Sequence, residues 1–170
     1  MAIDKRFSDL AEYVAQQWST DRSTKVGCVV VGPDGEVRAI GVNGFPRDCH
    51  DREERHQRPA KYMWTEHSER NAFNNATLSG TSLKGCTLYS NWFPCADCAR
   101  GIIQVGITRV VGYTPDFNHP KYGAEFKAAV QMLFEAGVGI NYIGTRDQTQ
   151  KKDIPDYTGE HSGSIQKTIS

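Results

Sequence analysis

Residues 87–113 read TLYSNWFPCADCARGIIQVGITRVVGY, and two strand-like runs there flank a helical pattern. The runs from Thr87 to Asn91 and from Arg109 to Tyr113 have the length and apolar content of buried strands. Between them, the residues from Cys95 to Val105 repeat apolar side chains at helical spacing. A strand, a helix and a strand in this order form a crossover between parallel strands. The segment therefore predicts a layered α/β domain whose second half is largely parallel.

The sequence on either side continues this alternation. Apolar periodicity and a Pro-Asp-Gly turn predict a helix, a β-hairpin and a second helix before the segment, and a helix and a strand after it. These elements are Arg6 to Trp18, Val26 to Val31, Val37 to Val42, Thr65 to Ala76, Tyr122 to Ala136 and Gly139 to Ile143. We expect one domain over residues 1–143 and an extended or partly disordered tail over residues 144–170, which are rich in Gln, Lys, Thr, Ser and Gly.

Charge and cysteine content restrict the class of protein. Because 20 Lys and Arg residues balance 20 Asp and Glu residues, the chain has no overall attraction to nucleic acid, whereas a small anionic ligand stays possible. No stretch is apolar for long enough to cross a bilayer, so no membrane partner is expected. Five cysteines, an odd number, and a start without an apolar targeting region indicate a cytoplasmic, reducing compartment. There, spaced cysteines indicate metal binding or chemistry rather than disulfides.

Two short motifs form one metal-binding pattern. His67-Ser68-Glu69 and Pro94-Cys95-Ala96-Asp97-Cys98 match H-x-E…P-C-x-x-C, the signature of zinc deaminases. The proline suits the first turn of a helix because it has no N–H to lose, and cysteines three apart lie on one helix face. The helix dipole lowers thiol pKa values there, and zinc prefers thiolate and neutral imidazole. His67, Cys95 and Cys98 are the predicted Zn²⁺ ligands, which leaves a fourth position for water, as in catalytic sites.

Glu69 makes this metal site a candidate for catalysis. Residues two apart in mid-helix point to different sides, so His67 and Glu69 share a pocket only if the helix begins within a residue or two of His67. Glu69 is then expected to accept a proton from a zinc-acidified water, whose hydroxide attacks C4 of a pyrimidine. The proton passes to N3 and on to the leaving ammonia. The expected product is a uracil base.

Other interpretations of the cysteines and histidines stay open. A lone C-x-x-C also occurs in redox pairs and zinc ribbons, but the preceding H-x-E favours a catalytic site. Cys28 and Cys86 are expected to be small packed residues. The polar segment from Asn43 to Tyr62 is predicted as a long, functional loop. Three of its residues either contribute to a second zinc site or are ordinary surface residues: Cys49, His50 and His56.

Beyond the metal motifs, the chain resembles the deoxycytidylate (dCMP) deaminase family from about Ser23 to Tyr142. Residues 23–30 are similar to the family's first strand, residues 41–46 to its substrate loop, and residues 93–99 with 102–107 to its second zinc helix. The resemblance implies the three-layer cytidine-deaminase fold, in which helices flank a central five-stranded mixed sheet. It also implies hydrolysis of dCMP to dUMP and a homo-oligomer, commonly a hexamer.

The resemblance also implies substrate contacts. It places Asn43 on the sugar, since an amide both donates and accepts hydrogen bonds, although Asn43 could instead be a turn residue. It places Phe117 on the base or deoxyribose, with a buried loop aromatic as the alternative. A 5′-phosphate is most often held by a cation or by backbone N–H groups. The candidates are Lys25 and, as an alternative, Arg22, and both could also be plain surface charges.

Two of the departures from the family pattern bear on substrate binding and on regulation. Arg70 follows the glutamate where better-known members have an uncharged residue, and we expect it to be solvated rather than to meet the phosphate. Val42 replaces an aromatic residue of the regulated members, so an effector base lacks a face on which to stack. We therefore expect weak control by dCTP and dTTP, or none.

Two alternative functions can be distinguished from the predicted one by features of the sequence. A tRNA adenosine deaminase, or another nucleoside or base deaminase, would use the same zinc chemistry, but an RNA reader should have a basic surface with aromatic residues. A non-catalytic zinc- or nucleotide-binding module would lack the proton shuttle that Glu69 supplies. The sequence therefore predicts deamination of a cytosine deoxynucleotide, most simply dCMP.

Overall fold

Helices and strands alternate along residues 2–145, the part of the chain that the computed structural model describes. In chain order they are α1 (Ala2–Trp18), β1 (Gly27–Val31), β2 (Val37–Val42), α2 (Lys61–Trp64), α3 (Ser68–Ser79), β3 (Thr87–Ser90), α4 (Ala96–Gln104), β4 (Arg109–Thr114), α5 (Gly123–Glu135) and β5 (Gly139–Thr145). Every predicted helix and strand is present within a few residues of its expected bounds. The segment predicted as a loop, Asn43 to Tyr62, contains a 3-10 turn over Glu53–His56, and α2 begins at its last two residues.

The strands form a five-stranded mixed sheet in the order β2-β1-β3-β4-β5. β1 is antiparallel to β2 and to β3, whereas β3, β4 and β5 run parallel to one another. α4 and α5 are the crossovers between the parallel strands, because parallel neighbours need a long connection. The prediction of a largely parallel second half is confirmed.

Apolar side chains cover both faces of the sheet. Successive residues of a strand point to opposite faces, so Cys28 and Val30 of β1 pack with α3, α4 and α5, while Val29 packs with α1. The buried residues Ala11 and Val14 form the inner face of α1. The domain therefore has three layers, with α1 on one side of the sheet and α3, α4 and α5 on the other.

Gly41 allows β2 to pass directly against the start of α3. A Cβ atom at Gly41 would lie 2.0 Å from the Ser68 carbonyl oxygen and 2.4 Å from the Ala72 backbone nitrogen. Real side chains do not approach backbone this closely. The first turn of α3, which carries Glu69, is therefore held against the sheet at a distance that only glycine permits.

Two further expectations from the sequence concern the end of the domain and a membrane-spanning helix. β5 continues to Thr145, two residues beyond the boundary predicted after residue 143, and the rest of the predicted tail lies outside the described residues. Among the described helices, none combines the length and the apolar character that a membrane span requires.

Candidate active site

The starts of two helices bring the metal motifs together. His67 immediately precedes α3 and Cys95 immediately precedes α4, and Cys98 lies in the first turn of α4. The prediction that the first helix begins within a residue or two of His67 is confirmed, because α3 begins at Ser68. The backbone of His67 is extended because the residue lies just before the helix. The side chains of His67 and Glu69 therefore face the same space although they are two residues apart.

The three predicted ligands have the spacing that zinc requires. The Sγ atoms of Cys95 and Cys98 each lie 3.5 Å from Nδ1 of His67. Tetrahedral zinc, with bonds of about 2.3 Å to sulfur and about 2.0 Å to nitrogen, separates such atoms by roughly 3.5 Å. Within residues 2–145 no other group of three His, Cys, Asp or Glu side chains is similarly close. The donor set fits zinc with three protein ligands and one position left over.

Hydrogen bonds between the ligands set their charge. The Cys98 thiol and His67 both donate to Cys95, which lowers the pKa of Cys95 to about 4. The neighbouring Cys95 thiolate and burial raise the pKa of Cys98. The hydrogen bond to Cys95 also raises the pKa of His67. One thiolate thus forms readily, as expected at the first turn of a helix, and the remaining protons are those that a bound cation would displace.

Glu69 is a buried carboxyl group beside the ligands, not one of them. It is 3% exposed and lies in the first turn of α3. Burial raises the pKa of Glu69, which His67 opposes. The Ser68 hydroxyl donates to Glu69 Oε2 at 3.0 Å and so fixes the carboxylate. A buried carboxylate held in this way is suited to moving protons.

A cavity of about 230 Å³ opens beside His67, Glu69 and Cys95. Its apolar walls come from Val26, Trp92, Phe93 and Phe126, and its polar groups from Asp21, Thr24, Asn43, Lys61, Arg58 and His119. This size is close to the lower end for small-ligand pockets. The cavity therefore suits one small ligand with an aromatic part and a polar part.

Asn43 lines the cavity, but its amide is already fully bonded within the chain. Its Oδ1 accepts from the Val26 backbone at 2.7 Å and from the Ser19 hydroxyl at 2.6 Å. Its Nδ2 donates to the Thr24 carbonyl at 2.7 Å and to Asp21 at 3.1 Å. An amide has no further strong hydrogen-bonding positions. Asn43 thus shapes the cavity wall, and a direct contact with the sugar stays a prediction that requires one of these bonds to open.

The other three predicted substrate residues do not line the cavity. Lys25 Nζ donates to the Gln16 carbonyl at the end of α1, 2.9 Å away. Arg22 pairs with Glu53 on the surface. Phe117 is 7% exposed and packs in the core with α5, as the alternative of a buried loop aromatic expects. Their sequence neighbours reach the cavity, but these side chains point to other parts of the fold.

Lys61 and Asp21 form a buried ion pair that the sequence did not indicate. Lys61 Nζ lies 2.7 Å from Asp21 Oδ2, and the two side chains are 10% and 3% exposed. Although burial opposes it, the hydrogen bonds from Lys61 and from the backbone of Ser23 and Thr24 lower the pKa of Asp21. Because the partners are 40 positions apart, neither local pattern nor spacing could have found the pair.

Two further groups of sequence candidates lie away from the cavity. Arg70 pairs with Glu66 at 2.5 Å and lies 3.7 Å from Asp97, so it is neither free in solvent nor placed at the cavity. The candidates for a second zinc site do not gather: Cys49 and His50 are exposed, and the His56 ring contacts Asp51 and Phe45.

Comparisons with known proteins agree with this geometry. The family described as "Cytidine and deoxycytidylate deaminase zinc-binding region" matches residues 1–114. The chain is 34% identical to an uncharacterized deaminase of Aliivibrio fischeri over 142 residues, covering 82% of this chain and 92% of that protein. It is 38% identical to a probable deoxycytidylate deaminase of Drosophila melanogaster over 148 residues, covering 80% and 68%.

A solved structure supplies the corresponding comparison of folds. The dCMP deaminase of cyanophage S-TIM5, in complex with dCMP and dUMP, superposes with a TM-score of 0.68 at 26% identity, covering 84% of this chain and 97% of that one. The five-stranded sheet and its helices therefore have the cytidine-deaminase fold, as the sequence predicted.

Proposed function

The chain belongs to the cytidine and deoxycytidylate deaminase family, and from that membership we propose that this deaminase hydrolyses dCMP to dUMP and ammonia. The observation that carries the proposal is the buried carboxyl group of Glu69, which lines a small cavity beside three ligands with zinc spacing. A purely structural zinc site would use a fourth protein ligand instead of a cavity.

His67, Cys95 and Cys98 would hold the zinc, and the chemistry of this donor set fits the ion. When bound in such a site, zinc lowers the pKa of a water molecule towards neutrality, so that hydroxide is available at neutral pH. The remaining steps belong to the chain's own residues and to the substrate.

Glu69 moves the protons. Its carboxylate accepts one proton from the water, and the water oxygen forms a bond to C4 of the cytosine ring. Glu69 then delivers this proton to N3 and carries the remaining proton of the C4-bound hydroxyl group to the amino nitrogen, after which the C4–N4 bond breaks, ammonia leaves and the oxygen stays on C4 as a carbonyl. The hydroxyl of Ser68 keeps the carboxylate in place during this transfer.

The cavity supports a mononucleotide as substrate. Val26, Trp92 and Phe126 provide apolar walls of the kind on which a pyrimidine packs. The volume of about 230 Å³ limits the ligand to one small molecule. A cyanophage relative in fold was solved with dCMP and dUMP, which supports the same substrate here. The 5′-phosphate is expected to be required.

The proposal includes a homo-oligomer and a cytoplasmic setting. β2 is at one edge of the sheet, and Val37 of β2 and Trp18 at the end of α1 are 44% and 57% exposed there. Apolar groups at an open edge favour association. The odd number of cysteines, two of which have zinc-ligand spacing, favours a reducing compartment. Light scattering during gel filtration measures the oligomer.

A substrate panel tests the proposed reaction. Ammonia release is measured with the zinc-loaded protein on dCMP, CMP, deoxycytidine, cytosine, dCTP and an adenosine-bearing tRNA, with Glu69→Gln as the matched inactive control. We expect dCMP to give the highest kcat/KM. Reaction with the adenosine-bearing RNA alone would show that the enzyme is a tRNA deaminase instead.

A further inference from the structure

Besides the metal ligand His67, three basic side chains line the cavity, and they differ in the partners that they already contact. Lys61 is neutralised by its buried partner Asp21, with Nζ and Oδ2 2.7 Å apart. Arg58 is exposed and His119 is half-buried, and the part of the cavity lining that they form at the solvent side is called the rim below. Because a buried ion pair is costly to open, Lys61 is not available to a ligand, and the other two are the candidates for binding an anion.

The hydrogen bonds of His119 determine which nitrogen faces a ligand. The backbone N–H groups of Lys121 and Tyr122 both donate to His119 Nδ1, each at 3.1 Å. Nδ1 is therefore the acceptor nitrogen, and the ring proton belongs on Nε2. The ring also packs on Tyr122, with centroids 5.0 Å apart. His119 is thus a positioned hydrogen-bond donor at the cavity rim.

Arg58 is a cation of the cavity lining without a carboxylate partner among the described residues. Within residues 2–145 no carboxylate forms an ion pair with it. Its guanidinium carbon lies 5.9 Å from the centroid of the Tyr62 ring. Lys121 contacts two aromatic rings that line the same cavity. Its Nζ lies 2.8 Å from the Tyr62 ring centroid and 5.0 Å from that of Tyr122. The contacts of Tyr62, Lys121 and Tyr122 therefore connect Arg58 with His119.

We infer that Arg58 and His119 hold the 5′-phosphate of the nucleotide substrate, an inference that rests on the proposed deamination of a cytosine nucleotide. A guanidinium group binds two phosphate oxygens at once, and the Nε2–H group of His119 donates to a third. The base end of the substrate then lies at Glu69 and the phosphate end at the rim. These two residues replace Lys25 and Arg22, whose side chains lie outside the cavity.

Two substitutions at His119 separate a phosphate donor from a structural residue. His119→Asn keeps an acceptor where Nδ1 was, so the loop N–H groups stay bonded, but it removes the Nε2 donor. His119→Gln places an amide donor near Nε2 and removes the acceptor. We expect His119→Asn to reduce the ratio of kcat/KM on dCMP to kcat/KM on deoxycytidine by about ten- to hundredfold. His119→Gln should keep more of that ratio.

The opposite order of these two variants would overturn the inference for His119. If His119→Asn behaves as wild type and His119→Gln loses activity on both substrates equally, the residue only supports the loop. Binding of dUMP and deoxyuridine, measured by calorimetry, gives the same comparison without turnover: His119→Asn should weaken dUMP about tenfold or more and leave deoxyuridine unchanged.

Arg58→Gln tests the cation, with Arg52→Gln as its matched control from the same segment. Arg52 is exposed and does not line the cavity. We expect Arg58→Gln to lower the preference for dCMP over deoxycytidine by about ten- to hundredfold and Arg52→Gln to leave it unchanged. An unchanged preference in Arg58→Gln, or its loss in Arg22→Gln, would refute the assignment.

The wild-type protein distinguishes failure of this inference from failure of the proposed function. If it deaminates neither dCMP nor deoxycytidine, the proposed function is wrong. If it deaminates both with equal kcat/KM, the proposed chemistry stands and no phosphate site exists. A clear preference for dCMP that survives in His119→Asn and in Arg58→Gln places the phosphate elsewhere.

Discussion

The metal centre and the cavity rim are built in different ways. Each predicted zinc ligand lies at the start of a helix within two short motifs, at His67 and at Cys95 with Cys98. The rim instead combines Arg58 with His119, 61 positions later in the chain, through side chains of two separate segments. Residues at the starts of helices that pack on a sheet hold catalytic groups in fixed positions, whereas loop residues determine which substrate binds. Substitutions should therefore affect turnover at the centre and substrate choice at the rim.

The largest expected effect is on turnover, at Glu69. Glu69→Gln keeps the shape of the side chain but cannot accept a proton, so kcat on dCMP should fall by about 10²- to 10⁴-fold while bound zinc is unchanged. His67→Ala should instead lose the metal, because two thiolates alone bind it weakly. Metal analysis beside ammonia release measures both. A Glu69→Gln protein without zinc would mean that Glu69 is a ligand.

The second prediction concerns the buried ion pair of Lys61 and Asp21 in the cavity wall. Lys61→Met leaves Asp21 charged, buried and unpaired, so the free energy of unfolding should fall by about 3–5 kcal/mol. Arg22→Met is the matched control: its pair with Glu53 is at the surface, with side chains 55% and 68% exposed, and should cost less than about 1 kcal/mol. Denaturant unfolding measures both.

A companion variant shows whether the charge is responsible. Adding Asp21→Asn to Lys61→Met removes the unpaired carboxylate, so the double variant should be more stable than Lys61→Met alone. If it is less stable, the loss comes from packing around Lys61 rather than from the buried charge.

A third prediction tests the close approach that holds the first turn of α3. Gly41→Ala places a methyl group 2.0 Å from the Ser68 carbonyl oxygen, so α3 must move and the free energy of unfolding should fall by about 1–3 kcal/mol. Because Glu69 moves with α3, kcat should also fall by about tenfold or more. Gly139→Ala is the control, since its nearest atoms lie 3.8 Å away. Equal effects of the two variants would contradict this account.

The metal centre was predicted well from the sequence because its residues lie in two short motifs. The P-C-x-x-C spacing, the proline before it and the nearby H-x-E determine which side chains meet, since helix starts fix their directions. The alternation of strands and helices likewise predicted the largely parallel second half of the sheet. Asn43 shows the limit: its residue type suits a sugar contact, but its amide is bonded to Thr24, Val26 and Ser19. Such bonds, like the pair of Lys61 with Asp21, depend on the folded chain.

The smallest expected effect is on regulation, and it concerns Val42. The side chain of Val42 is half-buried, packs against the buried cluster between α1 and the sheet that includes Ala11 and Val29, and lines a shallow groove with Trp18. Without an aromatic face, an effector base loses stacking of about 1 kcal/mol or more. An effector shifts activity only by its differential affinity for two states. We therefore expect dCTP and dTTP to change the initial rate less than about twofold at every dCMP concentration. A sigmoidal rate curve that dCTP makes hyperbolic and dTTP suppresses would show that the effector site functions without the aromatic residue.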